Sequence, residues 1–250
     1  MMQNTKFNAA ILIIGNEILS GRTQDTNTST IAQWLNSIGV KVNEVRVIPD
    51  IENIIVETVN HLRKANNYVF TTGGIGPTHD DITSLSISRA FNLKYGFNNE
   101  AFSILENYYG KKNFNDPRKK MAMMPIGSKL IYNPSSSAPG FKIKNVFCLP
   151  GVPSILKSMM PNLKSYLIKG VPTISLTISV LAVESRIAYY LTNLQKKYLK
   201  KIDIGSYPFF RLGKVGVSVV LRSIDKKIIK KCKIEFLKIL KTNKIKIYSI

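Results

Sequence analysis

The run Asn8–Ile14, NAAILII, is a short apolar stretch rich in isoleucine that stops at Gly15. That is the pattern of a buried strand. Ile31, Leu35 and Ile38 then recur at helical spacing, which predicts a helix capped by Asp25 or Asn27 and stopped by Gly39. Val40, Val42, Val45 and Val47 alternate with polar residues and predict a second strand over 40–48. Pro49-Asp50 turns the chain into a helix carrying Ile51, Ile54, Ile55, Val59 and Leu62. A third strand, YVFTT at 68–72, runs into Gly73-Gly74-Ile75-Gly76-Pro77-Thr78. Strand, helix, strand, helix, strand is the order of right-handed βαβ units, so the chain opens as an α/β fold on a mainly parallel sheet.

Beyond Thr78 the pattern predicts helices at 80–91 and 99–109, then a surface loop from Gly110 to Pro117. A strand at 129–132, a loop Asn133–Gly140, a strand at 145–149 and a helix from Pro153 follow. Gly170 and Pro172 interrupt the periodicity and predict a boundary, with one domain over 1–170 and a second over 171–250. The second domain reads as strand 173–181, helix 184–197, strands 202–206 and 215–221, helix 225–240 and strand 244–249. That is a small α+β unit of β-α-β-β-α-β order.

At 250 residues the chain is long enough to bury a core without disulfides. Cys148 and Cys232 lack metal-ligand spacing and suit a reducing cytosol. The apolar stretch Ala9–Ile14 is too short for a secretory core, and no run approaches the ~20 apolar residues of a membrane span. A soluble cytoplasmic protein without a membrane partner is expected. The net charge of +21 raises a nucleic-acid partner. Its lysines, such as Lys196-Lys197, Lys226-Lys227 and Lys230-Lys231, have little of the aromatic interleaving that stacks bases. Abundant Ile, Asn and Lys together are what AT-rich coding produces, so no specific nucleic-acid partner is expected.

The chemistry gathers where ligands bind open parallel sheets, outside the carboxyl ends of the strands. Gly73, Gly74 and Gly76 allow positive φ and bring N–H groups close to an anion. A helix starting near Asp80 would add its dipole to the same place. Asp80 and Asp81 side by side suit a cation bridging to phosphate, and capping accounts for only one of them. Glu17, directly after a buried strand, must face water, a cation or a ligand. His79 reads as a solvated loop residue.

The motifs GNEILSGRTQDTN (15–27), TTGGIGPTHDDIT (71–83), SAPGF (137–141) and LPGVPS (149–154) resemble those of the competence/damage-inducible protein A (CinA) family. The resemblance is strong over 8–170, and the segments 184–188 and 204–208 look like the small domain that follows in that family. It implies a three-layer α/β/α, molybdopterin-binding-like domain, often a homodimer, with its site at the Gly-rich loop. It also implies divalent-metal-dependent hydrolysis of the pyrophosphate in ADP-ribose, or of FAD as in the related domain of FAD synthase. Asn16 stands where many relatives have Asp, which removes one metal ligand or general base. The chain ends at 250, so the nicotinamide-mononucleotide amidohydrolase activity of longer relatives is not expected.

On this basis Asp81 and Asp80 are the first candidates for metal ligands or water-orienting carboxylates, with Glu17 next as metal ligand or base. Gly73, Gly74, Gly76 and Thr78 would hold phosphate oxygens, beside the Gly151 loop. Asn27, Asn133 and Ser137 are candidates for ribose or base. Asp50 resembles an acidic metal position of molybdenum-cofactor proteins, and equally well caps the helix after Pro49. The expected cofactor is Mg2+, Mn2+ or Co2+, and the expected partner a small nucleotide or pterin ligand. A non-catalytic molybdopterin- or nucleotide-binding module and a nucleic-acid-binding protein remain the alternatives.

Overall fold

The computed structural model describes residues 7–248, and the chain divides between Gly170 and Val171 into two compact units. The first unit begins with β1 (Asn8–Ile14), α1 (Asn16–Leu19), α2 (Asn27–Ser37), β2 (Lys41–Ile48), α3 (Glu52–Ala65) and β3 (Tyr68–Thr72). It continues with α4 (Thr83–Ala90), β4 (Tyr95–Phe97), α5 (Asn99–Tyr109), α6 (Asp116–Lys120) and β5 (Met123–Pro125). Then come β6 (Lys129–Ile131), β7 (Gly140–Ile143), β8 (Val146–Leu149), α7 (Pro153–Met159) and a 3-10 segment, Met160–Tyr166.

The main sheet has the order β2-β1-β3-β8-β7-β6. β2, β1, β3 and β8 are parallel, and β7 is antiparallel to both of its neighbours. The unbroken apolar run of β1 follows from its central place. Ala10, Leu12 and Ile14 pack with Ile55, Val59 and Leu62 of α3 and with Ile87 of α4. Ala9, Ile11 and Ile13 face the other way, toward Ile31 and Leu35 of α2 and Leu156 and Met159 of α7. Two cores on opposite faces of one sheet make three layers, α/β/α. Each fully buried side chain of this size contributes roughly 1.5–3 kcal/mol.

Because β6 again runs parallel to β8, the loops after β1, β2, β3, β6 and β8 all open at one edge of the sheet. Five short elements, in four places, depart from the sequence expectations. The segment expected as a loop to Pro117 ends in α6, and β4 pairs with β5 in a separate two-stranded ribbon. β7 forms a tight hairpin with β8 through Lys144-Asn145, with Lys144 at φ 48. Strands this short hold too few alternations to show a period. The fourth departure is α1, a single turn that carries no buried residue and so no apolar stripe.

The second unit contains β9 (Ile174–Leu181), α8 (Glu184–Lys197), β10 (Asp203–Arg211), β11 (Lys214–Ser223), α9 (Lys226–Thr242) and β12 (Lys246–Ile247). Its sheet, β10-β11-β9-β12, is antiparallel throughout. β10 extends well past the expected strand at 202–206, because as an edge strand it tolerates Pro208 within it, and β11 matches its expected strand to within two residues at either end. In α9, Ile229, Cys232, Phe236 and Leu240 form the buried stripe, while Lys226, Lys227, Lys230 and Lys231 are exposed. Among the described residues, no helix is long and apolar enough to cross a membrane.

Candidate functional site

The loop after β3 is shaped by close backbone approach. Gly73 and Gly74 adopt φ of 103° and 67°. A Cβ on Gly73 would lie 2.0 Å from the Ile14 carbonyl oxygen, and one on Gly74 would lie 2.2 Å from Thr83 Oγ1. No side chain fits either place. Thr83 secures the loop, donating its hydroxyl to the Gly73 carbonyl at 3.0 Å and its N–H to the Gly74 carbonyl at 2.9 Å. Gly73 donates its own N–H to the Leu149 carbonyl at 3.1 Å, so that group is committed to the fold and not to an anion. The N–H groups of Gly74 and Gly76 make no hydrogen bond within the described residues.

The helix expected from Asp80 begins at Thr83, and Asp80 does not cap it. Thr78 to Ile82 form a turn instead, stapled by Asp81. Thr78 donates its N–H to Asp81 Oδ2 at 2.7 Å and its hydroxyl to the same oxygen. Asp81 Oδ2 would also stand 2.7 Å from a Cβ on Gly76, which is why that position is glycine. Lys120 donates to the Thr78 carbonyl. All the polar groups of Thr78 are thus engaged within the turn, which leaves none for phosphate.

The other carboxylates divide by place. Glu17, exposed on α1, and Asp81, half-buried, line one cleft of about 660 Å3. Asp50 and Asp80 do not line it. Asp50 accepts the Asn16 N–H at 2.9 Å. Burial holds the Asp50 carboxyl above its ordinary value against that hydrogen bond, and the charges of Glu17 and Asp80 raise it further. Asp50 therefore feels the charge of both neighbouring carboxylates. Asp80, exposed, lies near the Thr78 side chain, its own N–H, His79 and Lys120, a surrounding that holds its carboxyl below the usual range. His79 stands 4.0 Å from Asp80 and is almost fully exposed, a solvated loop residue. Among the described residues, no group of three or more His, Cys, Asp or Glu side chains is assembled as a metal-ligand set.

The cleft has an apolar wall of Ile75, Pro77, Met121, Pro139, Val152 and Ile155. A side cavity of about 50 Å3 shares Glu17, Thr23, Gly73 and Gly151 with it and is also lined by Asn27. Asn27, 6% exposed, donates Nδ2 to Thr72 Oγ1 at 2.9 Å and to the Gly151 carbonyl at 2.7 Å, while its Oδ1 has no partner. Asn133 differs. Its Nδ2 donates to Ser136 Oγ and the Ala138 carbonyl, and its Oδ1 accepts from the N–H groups of Ser135 and Ser136. Every hydrogen-bonding position of Asn133 is used to shape the loop 133–139, so none is left for ribose or base. Ser137 adopts a left-handed φ of 60° in that loop and does not line the cleft, whereas Asn133, Ser136, Ala138 and Pro139 do.

Tyr109, Arg118 and Thr83 were not singled out by the sequence patterns. The signal for Arg118 was present in Asn115-Asp116-Pro117, a cap followed by proline at a helix start. Asn115 accepts the Arg118 N–H at 3.2 Å, and Arg118 lies over the Tyr109 ring, 4.2 Å from its centroid. Both line the cleft.

Residues 10–170 match the family described as a probable molybdopterin binding domain, and residues 172–249 match the middle domain of FAD synthase. A protein of Sulfurisphaera tokodaii is 37% identical over 201 residues, spanning 76% of this chain and 76% of that one. One of Archaeoglobus fulgidus is 35% identical over 198 residues, 79% of this chain and 84% of that one. Among solved structures, the protein CinA of Thermoplasma acidophilum, whose function is unknown, matches with a TM-score of 0.62 and 30% identity. That match covers 66% of this chain and 100% of the other. The chain belongs to the family of probable molybdopterin binding domains, as a CinA-like member.

Proposed function

We propose that the cleft binds a nucleotide pyrophosphate such as ADP-ribose and hydrolyses its phosphoanhydride bond with the help of Mg2+, Mn2+ or Co2+. The observation that carries the reading is the meeting of two carboxylates, Glu17 and Asp81, with the unengaged N–H groups of Gly74 and Gly76 around one cleft. Donors of that kind suit phosphate oxygens, while carboxylates beside them repel an anion unless a cation intervenes. A carboxylate pair at an open cleft would suit a hard divalent ion, with one carboxylate as its ligand and the other free to act on water. Asp81, through its Oδ1, would hold the ion, with Glu17 beside it as the base for the attacking water, and Asp50 and Asp80 would set the field around it. Bound there, the ion would offset charge on the phosphates.

The chain's own residues do the rest. Gly74 and Gly76 orient phosphate oxygens through their N–H groups. Glu17, exposed at the mouth, takes a proton from the attacking water. The water oxygen bonds to one phosphorus, the bond from that phosphorus to the bridging oxygen breaks, and AMP and ribose 5-phosphate leave. The apolar wall suits a flat heterocycle.

Purified protein incubated with ADP-ribose, FAD or NAD and each metal should release AMP, and FAD is included because the second unit matches a domain of FAD synthase. No AMP from any combination would remove the hydrolytic reading. The second reading is a non-catalytic module that holds molybdopterin or a nucleotide. It is favoured by the description of the family and by the lack of a preassembled three-residue ligand set among the described residues. Tight binding without metal-dependent product would establish it.

A further inference from the structure

We propose that Arg118, its plane fixed by Tyr109, is the phosphate-recognising cation of this cleft, and that it selects a nucleoside diphosphate moiety over the uncharged nucleoside. The inference rests on the nucleotide-pyrophosphate reading of the same cleft. Among the described residues that line the cleft, Arg118 is the one cation, against the carboxylates of Glu17 and Asp81. Lys120, two residues on, is already directed at the Thr78 carbonyl.

Several features present the guanidinium in a fixed pose. Asn115 caps the turn at the Arg118 N–H, and the Arg118 carbonyl accepts from Met121 at 3.2 Å. Arg118 Nη1 donates to the Asn113 carbonyl. The ring of Tyr109 covers one side of the guanidinium. A guanidinium held this way has an ordered plane and keeps donors on Nε and Nη2, for which the described residues supply no acceptor. An Arg fork of that kind matches two phosphate oxygens at once. Packing alone would explain an arginine over a tyrosine, but it would not place the one cation among the described lining residues in the same cleft as the loop that carries the unengaged N–H groups.

The test is calorimetric binding, with Mg2+, of α,β-methylene ADP, whose bridging carbon resists cleavage, and of adenosine. Arg118→Ala should weaken the diphosphate about 10–100-fold and leave adenosine affinity unchanged. Arg118→Lys should recover only part of the loss, because a point charge cannot make the fork. Added salt should weaken diphosphate binding more steeply in the wild type than in Arg118→Ala. Thermal melting of both variants checks that the wall is intact. Undiminished diphosphate binding by Arg118→Ala overturns the proposal, and so does an equal loss for adenosine and diphosphate, which would mean a packing role. A wild-type protein that binds neither probe overturns the ligand class itself and this inference with it.

Discussion

Replacing Gly73 by alanine tests whether the site is built by backbone contact across the sheet. Two costs combine there. The φ of 103° is unfavourable for an L side chain, at about 1–2 kcal/mol. The added Cβ would lie 2.0 Å from the carbonyl oxygen of Ile14, which is held at the end of the central strand β1 and cannot swing away. Overpacking of this kind costs about 1–3 kcal/mol. The sum, about 2–5 kcal/mol, corresponds to a fall of roughly 5–15 °C in Tm for a unit of this size. Gly21 is the control, because it has a φ of 72° with nothing within 4 Å of an added Cβ. Gly21→Ala therefore carries the dihedral cost alone. The fluorescence of Trp34, the chain's one tryptophan, reports urea unfolding of the first unit without interference from the second. If Gly73→Ala loses no more stability than Gly21→Ala, the close approach is not what fixes the loop.

Three further outcomes are expected. Asp81→Ala should lower AMP release from ADP-ribose by at least about 100-fold, and Asp81→Asn should retain the Thr78 staple while still losing most activity; near wild-type turnover of either variant with excess metal removes Asp81 from the site. The Asp50 carboxyl, raised chiefly by burial, binds its proton more tightly in the folded state, so its contribution is full below the ordinary value of 3.8 and is lost as pH rises through the raised folded value. Asp50→Asn, which keeps an acceptor for the Asn16 N–H, should gain stability over wild type above that window, and paired urea midpoints across acid pH check the sign. A fragment of residues 1–170 should melt cooperatively on its own, since both faces of its sheet are covered by its own helices; persistent aggregation would count against it.

The fold was legible because its central elements carry long, regular patterns. β1 is apolar on every residue that touches a helix, and α3 repeats its buried stripe at Ile55, Val59 and Leu62. The short pieces β4, β5 and α6 have no room for a period, and they escaped. α4 was placed too early because Asp80-Asp81 looks like a cap, whereas the competing use, a side chain stapling its own turn, depends on the position of Thr78 in space. The loops that form the site could be identified from glycine and acid content. Which of their groups face the cleft could not, because that follows from hydrogen bonds spanning long stretches of sequence. Asn27 to Gly151 and Lys120 to Thr78 are two of these.

Those long-range bonds also separate scaffold from ligand chemistry. Thr72 Oγ1 donates to the Pro150 carbonyl at 2.9 Å and accepts from Asn27, which also reaches the Gly151 carbonyl. The ends of β3 and β8 and the start of α2 are thereby bolted together beside the small side cavity. A polar side chain whose valences are all consumed in such bolting, as at Asn133, contributes shape and nothing else to a ligand. Asn27 and Asp81 are different, because each uses one end of the side chain to hold the site together and keeps one oxygen that the protein leaves without a partner. A buried acceptor without a donor costs about 1–3 kcal/mol. Asn27 Oδ1 is buried in this way, and Asn27 lines the small side cavity rather than the cleft. Under the proposed function, Asp81, with one oxygen committed to Thr78 and one unused, is where scaffold and ligand chemistry would meet.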